Sequence, residues 1–172
     1  MSFVHQRHKT PAELPEDREL VLAVPPLRSN INLARIVRAA GCSGVRRIIV
    51  AGDQKIDPKI SRDAIDFVTI ERRRSLEPVL KKIKQRGEFN LIGLEQTTNS
   101  QLLCDYTFPD RSLLVIGHER DGIEPPVLSL LDAVVEIPVF GLPHSYNVAT
   151  ATSMAMYEFT RQAVMAMRSD ME

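Results

Sequence analysis

Five short runs of nearly unbroken apolar residues most constrain how this chain can fold: Glu19-Leu-Val-Leu-Ala-Val24, Arg47-Ile-Ile-Val-Ala51, Asn90-Leu-Ile-Gly-Leu94, Leu113-Leu-Val-Ile116 and Val134-Val-Glu-Ile137. A strand with one wet face alternates apolar and polar residues, whereas a continuous apolar run has both faces covered. Between the runs stand segments with helical signals. Ser29 or Asn30 caps a helix over Ile31 to Ala40, stopped by Gly41. Lys59 to Ile65 reads as a short helix and Phe67 to Ile70 as a short strand. Ser75 caps a helix whose Leu76, Val79, Leu80 and Ile83 recur at helical spacing, closed by Gly87. Pro125 to Leu131 is a brief helix, and Asn147 to Arg168 one long helix rich in Ala and Met. Strands alternating with helices predict an α/β fold, a mostly parallel sheet with helices on both faces.

A length of 172 residues fits one domain. Residues 1–18 are polar, with Pro11 and Pro15, and are expected to form an N-terminal arm; 19–172 are expected to form the domain. Twenty-two basic and twenty-two acidic residues cancel, so a nucleic-acid partner would need a local basic patch. The candidates are Arg46-Arg47, Lys55 with Lys59 and Arg62, Arg72-Arg73-Arg74, and Lys81-Lys82 with Lys84 and Arg86; any one of them alone reads more readily as solvated surface. Cys42 and Cys104 form no C-x-x-C pair, which fits reduced thiols and a cytoplasmic protein. The first ten residues hold no apolar core of a signal peptide. Nothing approaches the roughly 18 apolar residues of a membrane span, so no membrane partner is expected.

The chemistry-bearing residues cluster late. Leu114-Val-Ile-Gly-His-Glu-Arg-Asp-Gly-Ile123 runs an apolar strand into G-x-E-x-x-G, and Ile137-Pro-Val-Phe-Gly-Leu-Pro-His-Ser-Tyr-Asn-Val148 runs another into a broken loop before the long helix. Open α/β sheets bind ligands outside the carboxyl ends of their strands, where these loops fall. A P-loop and a G-x-G-x-x-G after the first strand are both missing; Pro25-Pro26 stands there instead. His118 and His144 lack a third ligand at suitable spacing, so no metal is expected. Ser145 with either histidine lacks a third triad member. Ser145 and Asn147 are also ordinary helix caps, and the methionines of the long helix fit packing or a subunit contact.

Three segments, in order and spacing, resemble the SpoU/TrmH branch of the SPOUT RNA methyltransferases. They are Asn32-Leu-Ala-Arg-Ile-Val-Arg38-Ala-Ala; Leu114-Val-Ile-Gly117-His-Glu119-Arg-Asp-Gly122-Ile; and Ile137-Pro-Val-Phe-Gly141 continuing through Ser145-Tyr-Asn147-Val to Met156-Tyr-Glu158. They span about residues 20 to 165. His118 and Tyr146 depart from the family, which usually has a small polar residue and Leu or Met there. The resemblance implies a deep C-terminal trefoil knot (the SPOUT fold), a homodimer, S-adenosyl-L-methionine as cofactor and methylation of a ribose 2′-hydroxyl in RNA. It puts the cofactor against Leu94, Glu95, Gly117, Ile137, Ser145 and Tyr146, with backbone groups at 137 and 146 on the adenine edge. The catalytic set it implies is Asn32, Arg38, Glu119, Ser145 and Asn147.

The transfer asks mainly for positioning and charge control. A guanidinium with a pKa above about 12 is a poor base. Arg38 is therefore given orientation and electrostatics, and the proton acceptor stays open. Transfer RNA is favoured over ribosomal RNA as substrate, because a single-domain dimer must read its RNA with its own surface. The rivals are a catalytically idle RNA-binding scaffold on the same fold and a nucleotide-binding hydrolase.

Overall fold

The computed structural model of the chain describes residues 2–6 and 9–169. Positions 1, 7 and 8 of the expected arm and 170–172 of the expected domain lie outside the described residues. In chain order the elements are β1 (Glu19–Val24), α1 (Asn30–Cys42), β2 (Arg47–Ala51), α2 (Pro58–Ser61), α3 (Ala64–Phe67) and β3 (Thr69–Arg73). Then come α4 (Glu77–Arg86), β4 (Asn90–Leu94), β5 (Gln101–Leu102), β6 (Arg111–Ile116), α5 (Pro125–Leu128), β7 (Ala133–Glu136) and α6 (Val148–Ser169). The strands form one sheet in the order β3-β2-β1-β6-β4-β7-β5. Every ladder between them is parallel.

The apolar runs behave as their composition requires. Successive strand side chains point to opposite faces. Leu20, Leu22 and Val24 of β1, Ile48 and Val50 of β2, and Leu114 and Ile116 of β6 therefore enter one core. Val21, Ala23, Ile49, Ala51, Leu113 and Val115 enter the other. Leu33, Ile36 and Val37 of α1, with Met156 and Phe159 of α6, cover the first face. Leu76, Leu80 and Ile83 at α4, with Val127 of α5, cover the second. Each fully buried Leu, Ile or Phe contributes about 1.5–3 kcal/mol relative to exposure, so both faces are needed.

Phe108 stacks edge-on against Phe159, and Gln162 of α6 bonds the backbone of Tyr106 and Phe108, which ties the approach to β6 onto α6. Arg18, just before β1, lies 4.6 Å over the Phe159 ring and pairs with Asp110 at 2.8 Å. No helix among the described residues is long and apolar enough to cross a membrane.

Five local expectations change, the first being that the brief helix expected over 125–131 ends at Leu128. Gly41 does not stop α1 but lies inside it; a Cβ there would stand 2.6 Å from Cβ of Ala64, so the missing side chain lets α3 pack close. The helix expected over 59–65 is two short turns, split where Arg62 adopts φ 54°. Strand β3 runs later than expected, over Thr69–Arg73, because an edge strand can carry charges and so escapes an apolar-run criterion. Ser75 lies one residue before the boundary, with Leu76 at the N-cap of α4. Strand β5 has two residues and left no periodic trace.

Candidate active site at the strand ends

In the sheet order, β6, β4 and β7 are adjacent, so their carboxyl ends and following loops share one edge of the molecule. They enclose a cavity of about 490 Å³. All six residues expected to touch the cofactor line it: Leu94, Glu95, Gly117, Ile137, Ser145 and Tyr146. Glu119 and Asn147 line it too. Residues far apart in sequence thus meet because parallel strands all end on the same side.

The G-x-E-x-x-G loop is held by a carboxylate. Glu95 Oε2 accepts the Ile123 amide at 3.1 Å and Oε1 accepts the Gln96 amide at 2.9 Å. A Cβ on Gly122 would lie 2.4 Å from Glu95 Oε2, and one on Gly117 would lie 2.8 Å from it. Gly122 also has φ 69°, which glycine adopts freely and L side chains rarely do. The two glycines let the loop close on itself through the His118–Gly122 bridge, with Glu95 packed against it. Much of Glu95 is spent on shaping the loop, a role its sequence position did not disclose.

A second network ties three segments together. Asn147 Oδ1 accepts the amides of Ala149 at 3.0 Å and Thr150 at 3.4 Å, so it caps α6. Its Nδ2 donates to Asn32 Oδ1 at 3.2 Å. Asn32 Nδ2 donates in turn to Glu119 Oε1 at 3.1 Å. Glu119 Oε2 accepts the Arg28 amide at 2.8 Å. Asn32 is only 8 % exposed, so these bonds are its means of being satisfied. Burial pushes the Glu119 pKa up, but the hydrogen bonds it accepts, those from Arg28 and Asn32 foremost with backbone amides at 119 and 29, together hold the carboxyl below its ordinary value. Asn147 is thus both a helix cap and a member of the site.

Arg38 stands apart. It lies on the exposed side of α1 and does not line the cavity. Asn32 reaches the site only through Glu119 and Asn147. Four polar or charged side chains that the sequence reading did not select as site residues also line the cavity: Gln96, His118, Arg120 and Glu136. Glu136 ends β7, and its Oε2 accepts the Ser100 hydroxyl at 2.6 Å. A carboxylate closing an otherwise apolar strand was the available signal for it. Among the described residues, no three His, Cys, Asp or Glu side chains are grouped to hold a metal.

The lining suits an adenosyl sulfonium. Leu94, Ile116, Ile137, Val139 and Val148 offer apolar surface for a base. Glu95, Glu119 and Glu136 place negative charge around a ligand that carries a sulfonium and an ammonium.

Residues 19–157 match the SpoU rRNA Methylase family. The chain is 30% identical over 152 residues to the mouse tRNA (guanosine(18)-2′-O)-methyltransferase TARBP1, covering 85% of this chain and 10% of that one. The chain therefore spans about a tenth of that relative's length. The fold superposes on the A. aeolicus TrmH/SpoU tRNA modifying enzyme with TM-score 0.80 at 25% identity, covering 87% of this chain and 77% of that one. It superposes on the SpoU methyltransferase AviRb of Streptomyces viridochromogenes, in complex with AdoMet, with TM-score 0.75 at 29% identity, covering 88% and 63%. With the parallel sheet, the strand-end cavity and a family match over most of its length, the chain belongs to the SpoU rRNA Methylase family, the SpoU/TrmH RNA methyltransferases.

Proposed function

We propose that this protein transfers a methyl group from S-adenosyl-L-methionine to a ribose 2′-hydroxyl of RNA. One observation carries the reading: the six residues expected to touch the cofactor, together with Glu119 and Asn147, converge on one cavity at the ends of β4, β6 and β7. S-adenosylmethionine supplies an electrophilic methyl on a positively charged sulfur. Leu94, Ile137 and Tyr146 hold its adenosine part, while Ser145 and Gly117 contribute a hydroxyl and a close-approaching backbone. Asn32, Glu119 and Asn147 keep α1, the loop after β6 and the start of α6 in register, so that cofactor and acceptor meet in fixed geometry.

The reading includes a homodimer. Ile31, Met154, Tyr157 and Val164 are apolar side chains left 50 %, 37 %, 67 % and 41 % exposed on α1 and α6, and a second copy would cover them. Arg38 lies on the exposed side of α1, and we assign it to acceptor phosphate or developing alkoxide in a site completed by that second copy. Sedimentation velocity tests the assembly.

The reading also includes a trefoil knot. The chain leaves β7 beyond β4, then returns past the ends of β4 and β6 to bond Asn32 of α1. An electron-density trace of residues 111–169 decides the crossing. Residues 19–172 are taken as the methyltransferase domain and 1–18 as an arm. Transfer RNA is preferred over ribosomal RNA, with the Lys55–Arg62 and Arg72–Arg74 segments as basic contacts. The exposed free thiols of Cys42 and Cys104 favour a cytoplasmic setting.

Calorimetric titration with S-adenosylhomocysteine tests the cofactor: saturable binding is expected, lost in the Ser145→Ala, Tyr146→Ala double variant. No binding at millimolar ligand rejects the methyltransferase reading. Mapping of alkali-resistant linkages in methylated RNA then tests the ribose as acceptor.

A further inference from the structure

Charge in the cofactor cavity is unevenly distributed. Glu95, Glu119 and Glu136 line it as carboxylates, and Arg120 is the one Arg or Lys among its described lining residues. S-adenosylmethionine carries a sulfonium and an ammonium, which carboxylates attract, and an α-carboxylate, which they repel. That carboxylate therefore needs a cation or free amides where it comes to rest. A second cavity of about 410 Å³ adjoins the first, with Ile116, His118 and Gly122 in the wall between them. Glu119 and Arg120 line only the first cavity, and Asp121 only the second. The turn at 118–122 thus divides its charges and gives its cation to the cofactor side.

Free amides are scarce around the cavity. The start of a long helix is an ordinary anion site, but at α6 Asn147 Oδ1 already accepts the amides of Ala149 and Thr150. In the loop after β6, the amides of His118 and Gly122 bond across the turn at 2.9 and 3.1 Å. The Ile123 amide goes to Glu95 at 3.1 Å. The amides of Arg120 and Asp121 go to His118 Nδ1 at 3.4 and 3.3 Å. A ring nitrogen that accepts carries no hydrogen, so this imidazole is neutral and does not serve as the cation. Arg120 does. Its backbone is fixed by the bond to His118, while its side chain is exposed and makes no ion pair among the described residues.

We propose that Arg120 holds the α-carboxylate of S-adenosylmethionine and so marks the amino-acid end of the cofactor subsite. The proposal rests on the cofactor reading above, which seats the adenosine against Leu94, Ile137 and Tyr146. Leu94 ends β4, and Ile137 follows β7. Strand β6 lies next to β4 on the side away from β7, about 10 Å from β7 at the usual spacing of ~4.8 Å per strand. A ligand with its adenine at β7 and its sugar over β4 therefore brings its amino-acid end to the loop after β6, where Arg120 stands. A guanidinium offers a carboxylate two parallel N–H donors, which fixes the direction of the amino-acid chain as well as its charge. Because Arg120 is exposed, water screens the pair, and its worth is about tenfold in affinity.

The test is calorimetric titration of the full chain, without RNA, by S-adenosylmethionine and by its decarboxylated form. The second ligand keeps the adenosine, the sulfonium and the ammonium and lacks only the carboxylate. Arg120→Ala should bind S-adenosylmethionine about tenfold more weakly than wild type, and the decarboxylated form within about twofold of it. Arg120→Lys should recover part of the loss, since it keeps the charge but not the planar fork. Both variants should keep the wild-type Tm, because the side chain is exposed and unpaired. If wild type binds S-adenosylmethionine and Arg120→Ala binds it equally well, the carboxylate lies elsewhere and the proposal is overturned. A loss of the same size for both ligands also overturns it, since the effect then comes from the loop and not from the carboxylate. Unchanged S-adenosylmethionine affinity with weakened RNA binding gives Arg120 to an RNA phosphate instead. If neither ligand binds wild type, the cofactor reading fails and this one with it.

Discussion

Consider the replacement of Glu119 by alanine. Its carboxylate receives the Arg28 amide at 2.8 Å and the Asn32 carboxamide at 3.1 Å. A hydrogen bond to a charged group contributes about 1.5–3 kcal/mol, and both are lost together. Arg28 is exposed, so water takes over its amide and most of that loss is recovered. Asn32 is 8 % exposed and keeps an unpaired donor, so its share stays close to full. The net cost comes to about 2–3 kcal/mol. For a domain of this size each kcal/mol moves Tm by about 2–4 °C, so a fall of about 4–12 °C is expected. Glu119→Gln should cost less, about 1–2 kcal/mol, since its amide offers an oxygen to only one of the two donors' positions at a time.

The pH dependence gives a sharper check. The folded Glu119 pKa lies below the ordinary 4.5. A depressed carboxyl pKa adds stability that is complete above the unfolded value and is lost as pH falls through the folded one. The gap between wild type and Glu119→Gln should therefore stay constant from about pH 8 to 5.5 and shrink below about 4.5. Equilibrium urea unfolding, followed by circular dichroism at fixed protein concentration, measures it. A variant as stable as wild type at pH 7, or a gap that persists undiminished at pH 3, would falsify the assignment of Glu119 as an ionised brace between α1 and the β6 loop.

Three further outcomes are expected. Gly122→Ala meets both φ 69° and a Glu95 oxygen 2.4 Å from the new Cβ. A left-handed alanine alone costs about 1–2 kcal/mol, so S-adenosylhomocysteine binding should fall at least tenfold with a lowered Tm; an unchanged affinity by calorimetry counts against the loop geometry. Asn147→Ala removes the α6 cap and the bond to Asn32, and chemical denaturation should show a loss of about 1–2 kcal/mol. Arg38→Ala should abolish methyl transfer in a tritium-methyl assay while S-adenosylhomocysteine affinity stays within about twofold, because Arg38 lies outside the cofactor cavity; near-normal turnover would remove Arg38 from the reaction.

The amino-acid sequence by itself determined the class of fold. Nearly unbroken apolar runs at 19–24, 47–51, 90–94 and 113–116 require burial on both faces, and strands of that kind need helices above and below. It also marked the loops that line the strand-end cavity, since glycines, a carboxylate and small polar residues follow the strands at 117–122 and 145–147. These signals are local: they act within a few residues, where periodicity and turn chemistry are written.

The tertiary structure decided the rest. The order β1-β6-β4-β7 brings Asn32, Glu119 and Asn147 into one chain of hydrogen bonds, although 87 and 115 residues separate Asn32 from its two partners. Gly41 looked like a helix stop and is a contact point for α3, because its neighbour Ala64 is distant in sequence and invisible to a local pattern. Glu95 looked like a cofactor contact and also fixes the glycine loop. Arg38 looked central and lies on an outer face. His118 looked like a family variant and stands between two cavities. Each of these depends on which strand lies beside which, and strand order is set by the packing of the whole chain rather than by the preferences of any segment within it.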